Sequence, residues 1–211
     1  MTMPSLTQVL EFLSSLSIRQ IIVGLIFTSS TIAVIEVWLL SLPALLGQYV
    51  FVGLLLSRFI RPEMAAVKVV TGGVSCLILL LTAWHAGWRG GPRPKIEPWA
   101  PGHMSLTFRL FALILVGIAA YGLFVTYPLR DVAREINFAC YWLALMGFLA
   151  VVLNREPLPV GLGLLTFESG FEALYATLEE SLTVAGLLAG VNILAALAIA
   201  YLASMTNSLA Q

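Results

Sequence analysis

Long apolar runs are the feature that most constrains what this chain can fold into. Several stretches of about 20 residues carry almost no charge, among them IIVGLIFTSSTIAVIEVWLL at residues 21–40. A helix of about 20 apolar residues is long enough to cross the hydrocarbon core of a bilayer. The runs are continuous rather than alternating, which indicates helices and not the strands of a membrane barrel. The sequence therefore predicts an all-α, polytopic bundle of transmembrane helices.

The composition supports a membrane location and excludes some partners. Of the 211 residues, 60% are hydrophobic and 10% are charged, whereas a soluble domain has about 25% charged residues. So few charges cannot cover a folded surface, so the outer surface is expected to face lipid. The formal net charge is zero and no basic stripe is present, which argues against a nucleic-acid partner.

Helix-breaking residues and polar turns divide the chain into six or seven predicted spans. Proline removes a backbone donor and restricts the residue before it, so we expect Pro43 to end the first span and to leave a short second one. Six spans result if the short one does not cross. Arginine and lysine divide equally between the two sides, so the positive-inside rule leaves the orientation open. The predicted spans are 20–40, 44–57, 64–84, 106–127, 136–153, 158–178 and 182–203.

The spans fall into two groups separated by a loop. Residues 1–19 have helical periodicity and are predicted to form an N-terminal interfacial segment. The first three transmembrane helices occupy 20–84, and the last four occupy 106–203. Between them, residues 85–105 hold four prolines and two tryptophans, which predicts an extramembrane loop with interfacial aromatic residues. Residues 204–211 form a polar tail.

Four ionisable residues lie inside predicted spans: Glu36, Lys68, Glu168 and Glu172. A charge at the bilayer centre costs roughly 2.5–3.5 kcal/mol on insertion scales, so such groups tend to face the bundle interior, to pair or to become neutral. Glu168 is about ten residues from either end of its span, or roughly 15 Å, which is too far for a glutamate to reach the surface. Its carboxyl is a candidate proton carrier; the alternative is a neutral carboxyl that only hydrogen-bonds a neighbouring helix.

The other three ionisable residues have alternative interpretations as well. Glu172 follows Glu168 by one helical turn on the same face, so the pair marks either an ion path or a polar contact with another subunit. Lys68 lies about four residues inside its span and either extends to the membrane surface or pairs with a buried carboxylate. For Glu36, close to the end of the first span, a role at the membrane surface is favoured over a relay role.

Two weaker features concern the last span. Asn192 is a polar residue near its middle. The spacing of Gly186 and Gly190 matches the GxxxG pattern, which allows close approach of helices and predicts that this span packs against another helix.

The sequence shows no soluble catalytic apparatus. It contains no Walker motif, nucleophile elbow or HExxH sequence. Cys76 and Cys140 lie in separate apolar runs with no zinc or iron–sulfur spacing, so both are interpreted as packing residues. We therefore expect no catalysis by the chain alone, no cofactor and no metal site.

The C-terminal third carries a motif that resembles a known family. Arg155 is followed by Gly163-Leu-Leu-Thr-Phe-Glu168-Ser-Gly, then by an apolar stretch, a turn with glutamate and a last helix rich in Ile, Leu and Ala. This arrangement resembles hydrogenase-4 component E, a family similar to complex I subunit K and to the Mrp antiporter C subunit. The resemblance covers residues 44–84 and 150–203. It implies a small multi-span subunit beside the antiporter-like subunits of a proton- or sodium-translocating redox complex.

The resemblance also implies roles for particular residues. In the family, a glutamate within a helix is a link of the intramembrane proton path, and Glu168 matches it. Lys68, in Met64-Ala-Ala-Val-Lys, matches a lysine early in a preceding helix, and Gln48 matches the polar residue of the helix before that. Where the family carries a second acid on the following helix, this chain has Asn192, which cannot accept a proton at neutral pH. Glu172 would then supply the second acid.

The predicted function is that of a multi-pass subunit, in the cell (inner) membrane, that contributes part of the intramembrane ion path of such a complex. The candidate path residues are Glu168, Glu172, Lys68, Asn192 and Glu36. The expected partners are other integral membrane subunits, of the antiporter-like or redox module, and the lipid bilayer. Two alternatives stay open: a structural or assembly subunit whose glutamates only hold helices together, and a stand-alone small transporter. Against the transporter, the sequence shows no inverted repeat and no matching pair of broken helices.

Overall fold

The structure is a computed structural model, and it describes residues 16–35, 37–85, 105–130, 132–179 and 181–208. Within these ranges the regular structure is entirely helical, which confirms the predicted all-α bundle. The helices are α1 (Ile18–Val34), α2 (Trp38–Leu56), α3 (Pro62–His85), α4 (Leu106–Thr126), α5 (Arg134–Leu153), α6 (Pro157–Leu178) and α7 (Leu182–Ser208).

Helix length and apolarity indicate a multi-pass membrane protein. Among the described residues, five helices are long and apolar enough to cross a membrane, namely α2, α3, α4, α5 and α7, and the 17-residue α1 is a shorter apolar helix. The predicted six to seven spans therefore become five to six by this measure. The 22-residue α6 is not among them. It carries Glu168 and Glu172, and it packs against α5, α7 and α2, so neighbouring helices rather than lipid surround much of its surface.

The first two spans divide at a different place from the one predicted. α1 begins with a capping box, in which the Ser17 hydroxyl accepts from the backbone N–H of Gln20 and the Gln20 side chain accepts from that of Ser17. It ends at Val34, and Pro43 lies inside α2 rather than before it. The prediction that Pro43 ends the first span is wrong because a membrane helix tolerates a lost backbone bond where neighbouring groups satisfy the freed carbonyl. The Ser41 hydroxyl instead closes the connection by donating to the Ile35 carbonyl oxygen at 3.0 Å.

Several predicted regions fall partly or wholly outside the described residues. Glu36 lies between α1 and α2 but outside the described ranges, as do residues 1–15 of the N-terminal segment and most of the loop at 85–105. The last helix extends to Ser208, into the region assigned to a polar tail.

One end of the bundle is marked by Arg109, near the start of α4, and we call it side B. The guanidinium is buried and donates to the carbonyl oxygen of Leu153 at 3.1 Å, to the side-chain oxygen of Asn154 at 3.3 Å and to the carbonyl oxygen of Val34 at 3.5 Å. It therefore satisfies carbonyls at the last turns of α1 and α5, where a cation is favoured by the helix dipole. The opposite end, where α2 meets α3 and α6 meets α7, is called side A.

α5 and α6 approach each other closely through glycines. A Cβ atom added to Gly147 would lie 2.7 Å from the carbonyl oxygen of Gly163 and 2.7 Å from the Cα atom of Phe167. Both obstructing atoms belong to the backbone of α6, so no side chain can move aside to make room. The interface that holds the glutamate-bearing helix in place thus depends on the missing side chain at Gly147.

This close contact predicts a matched pair of outcomes. We expect Gly147→Ala to lower stability by about 1–3 kcal/mol, since an overpacked interior forces backbone shifts. Gly122→Ala in α4 is the control, because nothing lies within 4 Å of its added Cβ, and helix propensity alone favours alanine there by about 1 kcal/mol. Thermal unfolding in detergent or lipid compares the two. Equal melting temperatures for the two variants would contradict the backbone contact.

Candidate functional site

Buried polar side chains gather where α2, α3, α6 and α7 meet. In an apolar chain each such group needs a partner, because an unpaired polar group in a low-dielectric interior costs free energy. We call this group the polar cluster; its members are Tyr49, Lys68, Thr71, Ser75, Glu172 and Asn192. The partly exposed Glu168 lies beside it.

An ion pair joins α3 to α6 at the heart of the polar cluster. Lys68 on α3 pairs with the carboxylate of Glu172 on α6, and their side chains are only 9% and 6% exposed. Lys68 follows the start of α3, and Glu172 precedes the end of α6, by about six residues each, which puts both roughly 9 Å below side A. The structure therefore places Lys68 inside the bundle with a carboxylate and not at the membrane surface.

Tyr49 connects the ion pair to the middle of the bundle. The Lys68 ammonium lies 4.8 Å from the centroid of the Tyr49 ring, within the range of a cation–π contact. The Tyr49 hydroxyl donates to the Asn192 side-chain oxygen at 3.2 Å and accepts from its nitrogen at 3.0 Å. The Ser75 hydroxyl donates to the same Asn192 oxygen at 2.7 Å. Asn192 is fully buried and thus links α7 to both α2 and α3.

Glu168 occupies a different position from Glu172. Its side chain is partly exposed on α6, near the midplane, and its Oε1 atom is buried without a hydrogen-bond partner among the described residues. The positive charge of Lys68 interacts electrostatically with the Glu168 carboxyl, and this carboxyl also interacts electrostatically with Tyr49. One lysine is therefore paired with Glu172 and electrostatically coupled to Glu168, one turn away.

A small cavity adjoins the ion pair. It has a volume of about 40 Å³, and its polar lining comes from Lys68, Thr71 and Glu172. Small side chains of α6 and α7 leave the space open: Ala176, Ala185 and Ala189. Since a water molecule needs about 10–15 Å³ of such volume and two or more polar partners, the cavity has room for about three waters.

The polar cluster reaches only part of the way across the bundle. Its inner edge includes Thr166, whose hydroxyl donates to the Leu162 carbonyl oxygen at 2.9 Å and more weakly to Gln48 at 3.4 Å. Towards side B the interior is apolar, with side chains that are at most 1% exposed: Leu45, Leu79, Leu158 and Leu162. In this conformation, the polar cluster extends from near side A to the midplane, and an apolar layer lies between it and the buried Arg109 at side B.

The sequence identified several of these residues but not their partners. The structure brings Lys68, Glu172 and Asn192 into the polar cluster, with Glu168 beside them, whereas Glu36 is outside the described residues. Tyr49 and Ser75 were missed. No pattern within a single helix marks them, because their contacts arise only when α2, α3 and α7 pack together.

The two glycines of the GxxxG pattern in the last span lie away from the other described helices, although the span itself packs against two of them. A Cβ added to Gly186 or Gly190 would meet nothing within 4 Å, so neither glycine contacts another described helix. α7 packs against α3 and α6 through another face, which includes Asn192, Ala196 and Ala203. The prediction that the last span packs against another helix is confirmed, but the contact does not use the two glycines, because glycine spacing alone does not say which face of a helix is turned inwards.

No metal site is formed by the residues that the structure describes, since no group of three or more His, Cys, Asp or Glu side chains comes together there. Cys76 and Cys140 are buried free thiols. Comparison of the chain with protein-family models, with curated proteins and with solved structures finds no match.

Proposed function

We propose that this chain is an integral membrane subunit of a proton- (or sodium-) translocating redox complex and carries part of its intramembrane ion path. The observation that carries the proposal is the buried ion pair of Lys68 and Glu172 beside a cavity large enough for about three waters. Buried ionisable groups in a membrane protein are costly and usually mark an ion or proton route.

The arrangement supports a specific sequence of proton movements. A proton that arrives through water in the cavity neutralises Glu172 and removes the partner of Lys68. The Lys68 ammonium already interacts with Glu168, so Glu168 is then the carboxyl with which it can pair. Its long, flexible stem allows the ammonium to move by a few ångströms. Protonation of one glutamate is in this way linked to the charge of the next.

The extent of the polar cluster favours a subunit over a stand-alone transporter. The polar groups stop near the midplane, and the apolar layer of Leu45, Leu79 and Leu162 covers the route to side B. Glu168, at the midplane and partly exposed, is the group through which a proton would leave the chain sideways. The redox context rests on the resemblance of the C-terminal third to hydrogenase-4 component E, and so do antiporter-like partners.

A structural subunit is the second candidate, because the same contacts also hold the bundle together. The ion pair ties α3 to α6, and Asn192 ties α7 to α2 and α3. In that case the charges would fix helix positions, and no proton would need to move along them.

A substitution that removes the water without changing any ionisable group separates the two candidates. We expect Ala189→Leu, which fills the cavity, to lower proton pumping in native membrane vesicles by at least about tenfold. Proton transfer by a positioned group contributes about 100-fold or more to rate, and the water delivers that proton. The matched control is Gly190→Leu, since the neighbouring residue faces away from the bundle. Both variants are compared at equal amounts of assembled complex. Wild-type pumping by Ala189→Leu would count against the water-filled route.

A further inference from the structure

The two neighbouring glutamates of α6 differ in their exposure at the surface of the bundle. Glu172 is 6% exposed and ion-paired, and it lines the cavity. Glu168 is partly exposed. The residues one turn before it and about one and two turns after it, Leu164, Phe171 and Tyr175, are 47%, 50% and 36% exposed. Glu168 therefore lies at the border between the buried face of α6 and the face that is open at the outside of the bundle.

The depth of Glu168 in the membrane determines whether this open face contacts water or lipid. The residue is about ten residues from either end of α6, or roughly 15 Å, which puts it near the bilayer midplane. In the chain without partner subunits, the medium outside the helix at this depth is hydrocarbon, and no water is present to hydrate a carboxylate. The buried Oε1 atom has no hydrogen-bond partner among the described residues, and the nearby lysine is already paired with Glu172. A charge without a hydrogen-bond partner is costly there, which favours the neutral, protonated form of the carboxyl.

We propose that Glu168 is a lipid-accessible carboxylic acid and a covalent modification site for hydrophobic carbodiimides, whereas Glu172 is not. The reaction needs a protonated carboxyl and a reagent that dissolves in the bilayer. The carboxyl proton passes to one carbodiimide nitrogen, and the carboxylate oxygen bonds to the central carbon as one C=N double bond becomes single. The acyl group then moves from oxygen to nitrogen to give a stable N-acylurea, with no leaving group and no other reactant.

The test uses the full chain reconstituted in lipid vesicles and does not depend on transport. Dicyclohexylcarbodiimide, which partitions into the bilayer, is compared with a water-soluble carbodiimide, and the modified glutamates are located by peptide mass spectrometry. We expect the hydrophobic reagent to modify Glu168 at least about tenfold more than Glu172, and the water-soluble reagent to modify exposed acids such as Glu179 instead. Glu168→Gln should lose the hydrophobic label.

The labelling is measured on the chain without substitutions, so the test does not depend on whether the Glu168→Gln variant folds. Modification of Glu172 in preference to Glu168, or no modification of Glu168 by the hydrophobic reagent, would overturn it. So would equal modification of Glu168 by the water-soluble reagent, since that result would mean that the carboxyl opens to water. The proposed ion path is tested separately, by measurements of proton pumping.

Discussion

If the chain has the proposed function, replacing Glu168 by glutamine should lower proton pumping by about 100-fold while the complex still assembles. Glutamine has nearly the shape of a protonated glutamate and keeps its hydrogen-bonding capacity, but it cannot take up and release a proton. A positioned proton-transfer group typically contributes 100-fold or more to rate. Glu168 is not in the ion pair of Lys68 and Glu172, so the change leaves that contact in place. Pumping is measured in native membrane vesicles with a pH-sensitive dye.

The control for this prediction is Glu179→Gln, the same chemical change at an exposed position just beyond the end of α6. It should pump at the wild-type rate. Pumping at the wild-type rate by Glu168→Gln would show that this carboxyl does not transfer protons during transport. Failure of Glu168→Gln to assemble would instead favour the structural role of the glutamates.

The second large effect concerns the stability of the ion pair. We expect Lys68→Met alone to destabilise the protein by about 3–5 kcal/mol, because it leaves the buried Glu172 without a counter-charge. Glu172→Met should cost less, since Lys68 also interacts with Glu168. The double variant Lys68→Met/Glu172→Met should recover most of that loss, since apolar side chains of similar volume commonly replace a buried ion pair at little cost. Thermal unfolding of the four proteins gives the coupling free energy as a double-mutant cycle.

The matched control for the stability cycle is again at the exposed end of α6. Glu179→Met should change stability by no more than about 0.5 kcal/mol, the usual range for surface substitutions. If the effects of the two single variants of the ion pair were simply additive in the double variant, the side chains would not interact and the geometry of the polar cluster would be wrong.

Much of the fold follows from the sequence, and the exceptions have physical causes. Low charge and long apolar runs predict a helical membrane bundle, and the bounds expected for the later helices lie within a few residues of those observed. The division between α1 and α2 could not be predicted, because whether Pro43 breaks a helix depends on groups outside that helix. The outward position of Gly186 and Gly190 likewise depends on which face of α7 meets its neighbours.

The charged residues of the candidate site could be predicted from the sequence, but the contacts between them could not. Lys68, Glu168 and Glu172 stand out because ionisable groups are costly in an apolar span. The sequence placed the two glutamates together as adjacent positions on one face, yet their surroundings differ: Glu172 is buried, pairs with the lysine and lines the cavity, whereas Glu168 is partly exposed. A few tens of degrees around the helix axis decide this difference, and the packing of α5, α7 and α2 against α6 sets that angle.

Proton pumping by the double variant Lys68→Met/Glu172→Met tests the central claim most directly, because this protein is expected to be stably folded and yet to lack the ion pair. The measurement is made in native membrane vesicles at an amount of assembled complex equal to that of the wild type. If the pair carries protons, pumping falls by about 100-fold although stability is retained. Pumping at the wild-type rate would show that Lys68 and Glu172 only hold α3 and α6 together.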